Sequence, residues 1–203
     1  MKTLFWSEQA DYETTCAQME HCVHQIKKQE APEQIWYLEH GPVYTCGPKV
    51  SIDELGRDLP FPVIQSQRGG EMTFHGPGQR VLYVMVNLTR RGWDVCHYIH
   101  LLEQWVAQAL NRLNIQAYGQ KNGRGLWTEK GKIASIGIKV TSGVTWHGIA
   151  CNVCNDLAPF QAISPCGVVG EKMASVACFM PDACMKSVDR ALIASCPFSS
   201  FGV

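Results

Sequence analysis

The sequence predicts an α+β fold in which helices pack on a largely antiparallel or mixed sheet. Short strands separated by tight turns recur between residues 125 and 153, and this pattern is typical of consecutive hairpins. Stretches in which apolar residues recur at spacings of three and four lie elsewhere in the chain and predict helices. Strands joined by tight turns, with the helices grouped elsewhere, indicate this class.

Two clear helices and one weaker helix are predicted. In residues 11–29 the apolar side chains recur at helical spacing, and Pro32 lies just beyond the end. Residues 95–113 carry their apolar side chains on one face, and Asp94 is placed to cap the N-terminus. The weaker helix covers residues 185–194.

The predicted strands cover residues 35–39, 63–66, 81–88, 125–128, 132–140 and 145–153. Gly41-Pro42 and Gly47-Pro48 mark loops near the N-terminus. Residues 129–131 and Ser142-Gly143 are the turns of the meander that forms the second half of the predicted sheet.

Composition and charge exclude several classes of protein. The chain has 203 residues, 46% of them hydrophobic, which is enough for one large domain or two small ones. Its 18 basic and 18 acidic residues leave no net charge, which argues against a nucleic-acid or membrane-surface protein. The first residues lack the features of a signal or transit peptide, so we expect a cytoplasmic protein. The ten cysteines are expected to be mostly reduced thiols, because so long and apolar a chain needs no disulfide scaffold.

Cys166 is the candidate nucleophile. It stands in the run Ser164-Pro165-Cys166-Gly167, where proline and glycine on either side predict a sharp turn. A turn tends to present its side chain, and an electropositive neighbour would convert the exposed thiol into a thiolate.

Two polar residues fall on strand faces that are otherwise apolar. Alternation along residues 132–140 places Lys132 with Ala134, Ile136 and Ile138, the face expected to point inward. Burial of a lysine is costly unless it has a partner or a function, although a lysine at the end of a strand can also reach water. By the same reasoning His147 shares a core face with Ile149 and is either a hydrogen-bonded core residue or part of a site.

The glycine-rich run of residues 68–79 is a candidate binding loop, because its glycines let backbone amides face a ligand. It matches neither a phosphate loop nor a dinucleotide fingerprint, and an ordinary connection is the alternative. Cys151 and Cys154 have the spacing of a metal pair but lack a second pair of cysteines. Gly123-Arg124-Gly125 is similar to the glycine–arginine loops of adenylate-forming ligases, but three residues carry little weight.

Taken in order, these motifs resemble the lipoyl(octanoyl) transferase family, the octanoyl-acyl-carrier-protein:protein N-octanoyltransferases. The likeness covers nearly the whole chain, so we expect a single catalytic domain over residues 1–203. The motifs that carry it are Ile35-Trp36-Tyr37-Leu38-Glu39-His40 with Pro42-Val43-Tyr44-Thr45, residues 68–79, Lys132-Ile133-Ala134-Ser135-Ile136-Gly137, His147-Gly148-Ile149-Ala150 with Asn152-Val153, and Pro165-Cys166-Gly167. Ser164 and Phe74 depart from common family residues without removing a catalytic group.

The resemblance implies a fold and a set of roles. The fold is that of the biotin and lipoate protein ligases, a mixed domain with a large and a small sheet flanked by helices. Cys166 matches the acyl-thioester nucleophile and Lys132 the lysine that favours its thiolate, with His147 and Asn152 as supporting residues. The positions that match the substrate-binding segments are Arg68, Gly69, Gly70, Glu71, Met72, Thr73, Phe74, His75, Ser135, Ile136, Gly137, Gly148, Ile149 and Ala150.

The resemblance also implies the reaction and its partners. Octanoyl-acyl carrier protein would donate the acyl group to Cys166, and a lysine of a lipoyl domain would accept it. The acceptors expected are the lipoyl domains of 2-oxoacid dehydrogenases and the glycine-cleavage H protein. No cofactor is expected, neither ATP nor a metal, and no nucleic acid or membrane takes part. The acting unit is expected to be a monomer.

Three alternatives stay open at this point. A lipoate or biotin protein ligase of the same fold would activate a free acid with ATP and would not need Cys166. A thioester hydrolase would pair Cys166 with His75 or His147. A non-catalytic module would bind acylated carrier protein without forming a covalent intermediate.

Overall fold

A computed structural model describes residues 1–50, 59–120, 123–163 and 171–198. The strands in these ranges are β1 (Lys2–Ala10), β2 (Gln34–His40), β3 (Val43–Cys46), β4 (Val63–Gln65), β5 (Thr73–His75), β6 (Gln79–Met85), β7 (Gly125–Thr128), β8 (Gly131–Thr141) and β9 (Val144–Asn152). The α-helices are α1 (Tyr12–Lys28), α2 (Leu88–Arg91), α3 (Val95–Asn111) and α4 (Met185–Ser195). None of the helices in the described ranges is both long and apolar enough to span a membrane.

The strands form one large and one small sheet, as expected. The large sheet has six strands in the order β1-β2-β6-β9-β8-β7, and the small sheet has three in the order β4-β3-β5. In the large sheet only the β1–β2 pair is parallel, and in the small sheet β3 pairs parallel with β4 and antiparallel with β5. The α+β class with a mixed sheet is therefore confirmed.

Helices cover the two faces of the large sheet unequally. On one face, α3 and α4 pack over the main core, and the buried Trp105 indole N–H of α3 donates to the Leu192 carbonyl of α4 at 2.7 Å. On the other face, α1 buries Met19 and Ile26 against β6 and β9. The small sheet lies beside α1 and has its own apolar cluster around Tyr44.

The predicted helix boundaries agree with the capping interactions. Asp94 caps α3 by accepting a hydrogen bond from the His97 amide at 2.7 Å, as predicted. Asp11 does the same for α1 through the Thr14 amide at 2.8 Å. Gln29 ends α1 in the left-handed conformation, with φ of 64°.

Several strand predictions were wrong. The sequence predicted none of β1, β3 and β5, and it marked only the loops on either side of β3, at Gly41-Pro42 and Gly47-Pro48. The predicted strand over 81–88 also ran too far, because β6 ends at Met85. Asn87 then caps the short helix α2, its side chain accepting from the Arg90 amide at 3.0 Å, so Leu88 is helical.

Candidate functional site

A partly open cavity of about 50 Å³ lies between α1, the small sheet and the face of the large sheet that carries α1. Its walls come from the start of α1, from residues 70–75 with Arg68, and from the middle of β6, β8 and β9. The lining residues are Tyr12, Arg68, Gly70, Glu71, Met72, Thr73, His75, Val81, Tyr83, Ser135, Ile136, Gly137, His147, Gly148, Ile149 and Ala150. The structure thus gathers the three predicted binding segments around one space.

Two residues of the predicted binding segments do not line the cavity. The Gly69 amide donates to the Ile138 carbonyl at 2.8 Å, so this residue fastens the loop to β8. Phe74 turns into the apolar cluster of the small sheet, where its ring meets Phe160 edge to face at a centroid distance of 5.7 Å. Both support the cavity wall from behind.

Glycine at position 137 allows the binding loop to lie directly on β8. A Cβ atom at Gly137 would stand 2.9 Å from the Arg68 Cδ and 3.0 Å from the Gly69 carbonyl oxygen. The buried Arg68 side chain is fixed by donating to the Thr45 carbonyl at 2.6 Å and to the Thr45 hydroxyl at 2.9 Å. Arg68 therefore joins the small sheet to the large sheet across the floor of the cavity.

Glycine at position 148 is required for the spacing of two central strands. A Cβ atom there would lie 2.1 Å from the Leu82 carbonyl oxygen of β6. The sequence suggested that Gly148 marks a close approach, and the approaching group is the neighbouring backbone.

Lys132 is fully buried, but the face predicted for it was wrong. The register between β7 and β8 shifts at Leu126, where Ile133 is an extra residue between the pairs Ala134–Leu126 and Lys132–Trp127. Ile133 and Ala134 consequently both face the main core. The shift turns Lys132 to the opposite face of β8, which also carries Ser135 and Gly137 and borders the cavity.

The surroundings of Lys132 combine an aromatic ring and a neighbouring chain segment. Its Nζ lies 4.5 Å from the centre of the Trp127 ring, which is within the range of cation–π attraction. The Trp127 indole N–H donates to the Glu171 carboxylate at 2.7 Å. The Lys132 amide donates to the Lys172 carbonyl at 2.8 Å, and the Ala174 amide donates to the Lys132 carbonyl at 2.8 Å.

Cys166 and the whole run Ser164-Pro165-Cys166-Gly167 lie outside the described residues. The described chain on either side ends at Ile163 and resumes at Glu171. Ile163 packs in the apolar cluster of the small sheet, and the backbone after Glu171 pairs with Lys132 as described above.

His147 occupies a strained backbone conformation that redirects its side chain. Its φ is 60°, a value that residues other than glycine rarely adopt. The ring stacks on Trp146 at 5.5 Å and meets Tyr83 edge to face at 5.6 Å. The prediction that His147 shares the core face of Ile149 was therefore wrong, because the left-handed residue places its ring on the cavity side.

A chain of side-chain hydrogen bonds runs from the cavity toward Lys132. The Gln79 amide oxygen accepts from the His75 Nδ1–H at 2.7 Å, since this oxygen can only accept. The Gln79 amide nitrogen donates to the Asn152 side-chain oxygen at 2.9 Å, and the Asn152 amide donates to the Ala174 carbonyl at 3.0 Å. Asn152 and Gln79 therefore join His75 to the segment beside Lys132.

The three histidines around the cavity are held in the neutral form. Burial lowers the pKa of His40 to about 4, and it lowers the pKa of both His75 and His147 to about 3. The Arg68 guanidinium adds to the lowering at His75 and His147. His40 donates from Nδ1 to the Ala10 carbonyl at 2.8 Å and therefore accepts from the Tyr83 hydroxyl at 2.7 Å.

The sequence alone did not single out Tyr12, Val81 and Tyr83 as cavity residues. Tyr12 was assigned to the apolar face of a helix, which is correct but incomplete, because its hydroxyl is hydrogen-bonded to Ser66 at 2.8 Å. Val81 and Tyr83 alternate on β6, so strand parity would have placed them on one face had that face been assigned to the cavity.

No metal-binding group is found in the part of the chain that the structure describes, where no three His, Cys, Asp or Glu side chains converge. Cys151 is buried in β9 whereas Cys154 is exposed just after it.

Comparison with known protein families assigns the chain to a single family. The family model of the lipoyl protein ligase A/B catalytic domain matches residues 11–196. The octanoyltransferase of Sphingopyxis alaskensis is 43% identical over 192 residues, which cover 92% of this chain and 88% of that protein. The octanoyltransferase of Zymomonas mobilis is 36% identical, with 93% and 89% covered.

Solved structures share the fold at low sequence identity. The bi-partite lipoate protein ligase of Thermoplasma acidophilum superposes with a TM-score of 0.74 at 16% identity, covering 96% of this chain and 81% of that one. The predicted lipoate-ligase-like architecture is thereby confirmed.

Proposed function

The chain belongs to the lipoyl protein ligase A/B catalytic domain family, and we propose that it is an acyltransferase that moves an octanoyl group onto lipoyl domains in protein lipoylation. The donor is octanoyl-acyl carrier protein, and the acceptor is the ε-amine of a lysine on the lipoyl domain. A lipoyl group, which has the same number of carbons, is the alternative acyl group transferred. The relatives named octanoyltransferase, which match nearly the whole chain, support this choice over a ligase.

One observation carries the proposal: a mainly apolar cavity has a buried lysine beside one end. The cavity walls combine apolar side chains such as Val81 and Ala150 with neutral histidines. Lys132 lies on the same face of β8, three residues before Ser135. An acyl chain in the cavity would therefore present its carbonyl carbon toward the Lys132 end.

In the first step the Cys166 thiolate attacks the thioester carbonyl of the donor. A new sulfur–carbon bond forms, and the bond to the carrier thiol breaks, so the carrier leaves as a thiolate that takes up a proton. The Lys132 ammonium favours the Cys166 thiolate by its positive charge and can supply that proton. Backbone amides of the glycine-bearing segments stabilise the tetrahedral oxyanion.

In the second step the neutral amine of the acceptor lysine attacks the Cys166 thioester. An amide bond forms, the Cys166 thiolate leaves, and the amine proton passes to a base such as the now neutral Lys132. Exchange between thioesters is nearly thermoneutral, and conversion of a thioester to an amide is downhill. The proposed reaction therefore needs neither ATP nor a metal.

The remaining features of the proposal concern partners and setting. The chain acts as a monomeric catalytic domain over residues 1–203 in the cytoplasm. The lipoyl domains served are those of 2-oxoacid dehydrogenases and of the glycine-cleavage H protein. Arg68, Ser135 and Gly148 act in the acyl-binding walls.

The decisive experiment is a search for the acyl intermediate. The purified protein is incubated with octanoyl-acyl carrier protein, and peptide mass spectrometry then locates any hydroxylamine-sensitive octanoyl adduct. We expect the adduct on Cys166, its discharge on addition of a lipoyl domain, and its loss in Cys166→Ser. Cys154→Ser, which removes an exposed thiol outside the cavity, is the matched control and should keep the adduct.

The same assay separates the rival functions. A ligase would retain its activity in Cys166→Ser and would require ATP. A hydrolase would release free octanoate without a lipoyl domain. A transfer reaction that proceeds without an adduct on Cys166 would exclude the proposed two-step mechanism.

A further inference from the structure

We infer that Tyr12 and Ser66 form a stop at the far end of the acyl cavity and so limit the length of the acyl chain that the protein accepts. This inference rests on the proposed acyl transfer. It assigns the choice of chain length to a hydrogen-bonded wall at the opposite end from Lys132.

The register of the large sheet gives the direction of the cavity. Along β8, Ser135 pairs with Ala150 and Gly137 pairs with Gly148, and both pairs lie on the cavity. Lys132 precedes Ser135, so the Ser135–Ala150 pair is the near end. The β8 residues that line the cavity run from Ser135 to Gly137, a rise of about 7 Å, and Lys132 lies three residues further toward the near end.

We assign three residues to the far end: Tyr12 and His147, which line the cavity, and Ser66, which lies behind Tyr12 in the neighbouring groove. The Tyr12 hydroxyl and the Ser66 hydroxyl are hydrogen-bonded at 2.8 Å, and both residues are buried. The Tyr12 ring is further held by His40, edge to face at 5.0 Å, and by His75, stacked at 6.1 Å. His147 completes this wall. We call Tyr12, Ser66 and His147 the far wall.

Beyond the far wall lies a second space. An open groove of about 260 Å³ runs between α1 and the segment 64–67, and Tyr12, His147 and Trp146 line it together with Cys16 and Ala17. Tyr12 and His147 line both the cavity and the groove. The far wall is therefore a thin partition, with empty space on either side of it.

The partition has a direct consequence for specificity. An acyl chain longer than the cavity must displace the Tyr12 ring and break its bond to Ser66. Without that ring the chain continues into the groove, where each added methylene that leaves water strengthens binding about fourfold. Donors with longer chains should then be better substrates than the eight-carbon donor, whereas in the unchanged protein they should be worse.

The test compares donors whose acyl chains have six, eight, ten and twelve carbons. For the unchanged protein we expect kcat/KM to fall at least about tenfold from the eight-carbon to the twelve-carbon donor. In Tyr12→Ala the ratio of the twelve-carbon to the eight-carbon value should rise at least about tenfold. Tyr12→Leu, which keeps apolar bulk at the start of α1, is a second variant should the alanine variant fold poorly, and it should shift the ratio in the same direction.

A groove-filling substitution provides the control. Ala17 is exposed on α1 and faces only the groove, so Ala17→Trp alone should leave the chain-length profile unchanged. Combined with Tyr12→Ala it should restore the preference for eight carbons, because the chain has no space to enter.

Two failures are distinguishable. If the unchanged protein transfers octanoate but both Tyr12 variants keep its chain-length profile, the stop is refuted and the proposed function stands. If no donor supports transfer in the unchanged protein, the proposed function itself fails. If Tyr12→Ala prefers longer chains and adding Ala17→Trp does not restore the preference for eight carbons, the route through the groove is also refuted.

Discussion

The cluster of three neutral histidines makes the stability of the fold dependent on pH. His40, His75 and His147 have pKa values of about 4, 3 and 3, below the ordinary value of 6.5. The unfolded chain takes up protons near the ordinary value, and the folded chain does not. Stability is therefore complete above about pH 6.5 and is lost as the pH falls toward the folded-state values.

The size of this loss follows from linkage. At about pH 5.5, one unit below the unfolded value, each histidine has removed about 1.4 kcal/mol from the free energy of unfolding. The folded state still holds all three neutral at that pH, so the three together remove about 4 kcal/mol. Domains of this kind are stable by only about 5–15 kcal/mol, so the effect is large.

Urea unfolding, measured by tryptophan fluorescence from about pH 7.5 to pH 5.5, tests this expectation. His40→Gln is the informative variant, because a glutamine amide can donate to Ala10 and accept from Tyr83 without titrating. It should reduce the loss from about 4 to about 3 kcal/mol. A free energy of unfolding that stays within about 1 kcal/mol over this range, or an unchanged slope in His40→Gln, would refute the reasoning.

Two further predictions concern the site. Lys132→Met keeps the buried volume but removes the charge, so alkylation of Cys166 by iodoacetamide should slow by at least about tenfold near neutral pH, as followed on the Cys166 peptide. An unchanged rate-versus-pH profile would contradict a role for Lys132 in forming the thiolate. Gly148→Ala should lower stability by about 1–3 kcal/mol and reduce transfer, because its Cβ would meet the Leu82 carbonyl oxygen. Ala150→Gly, on the same strand, serves as the control because it introduces no steric clash. An equally large loss of stability in Ala150→Gly would show that the strand tolerates no change and that the clash at Gly148 is not the specific cause.

Local patterns were enough to predict the three longer helices, α1, α3 and α4, and the hairpin meander of this protein. Asp94 capped α3 where the spacing of apolar residues began, and the strands over 125–153 formed the predicted antiparallel order. The strands that escaped prediction depend on distant partners. β1 is mostly exposed, and within the described ranges it pairs only with β2, which follows α1 in the sequence. β3 and β5 are four and three residues long.

In the site, too, some features followed from local sequence and others depended on distant contacts. Its segments were identifiable from motifs, but the facing of its side chains was not. Strand parity misplaced Lys132 because one extra residue, Ile133, enters β8. It misplaced His147 because a single left-handed residue reverses the direction of its side chain. Both irregularities depend on packing against neighbouring strands, which a count of alternating residues does not contain.

The register break in β1 also bears on how copies of this protein behave at high concentration. Residues 6–8 face the single residue Leu38, so the outer edge of the large sheet is bent where another strand would have to pair. At the opposite edge, Tyr118 exchanges two backbone hydrogen bonds of 2.9 Å with Trp127 and occupies part of the free side of β7. A bent edge and a covered edge both discourage sheet extension between molecules. Pairing between copies through the large sheet is thereby disfavoured at both of its edges, independently of the cavity.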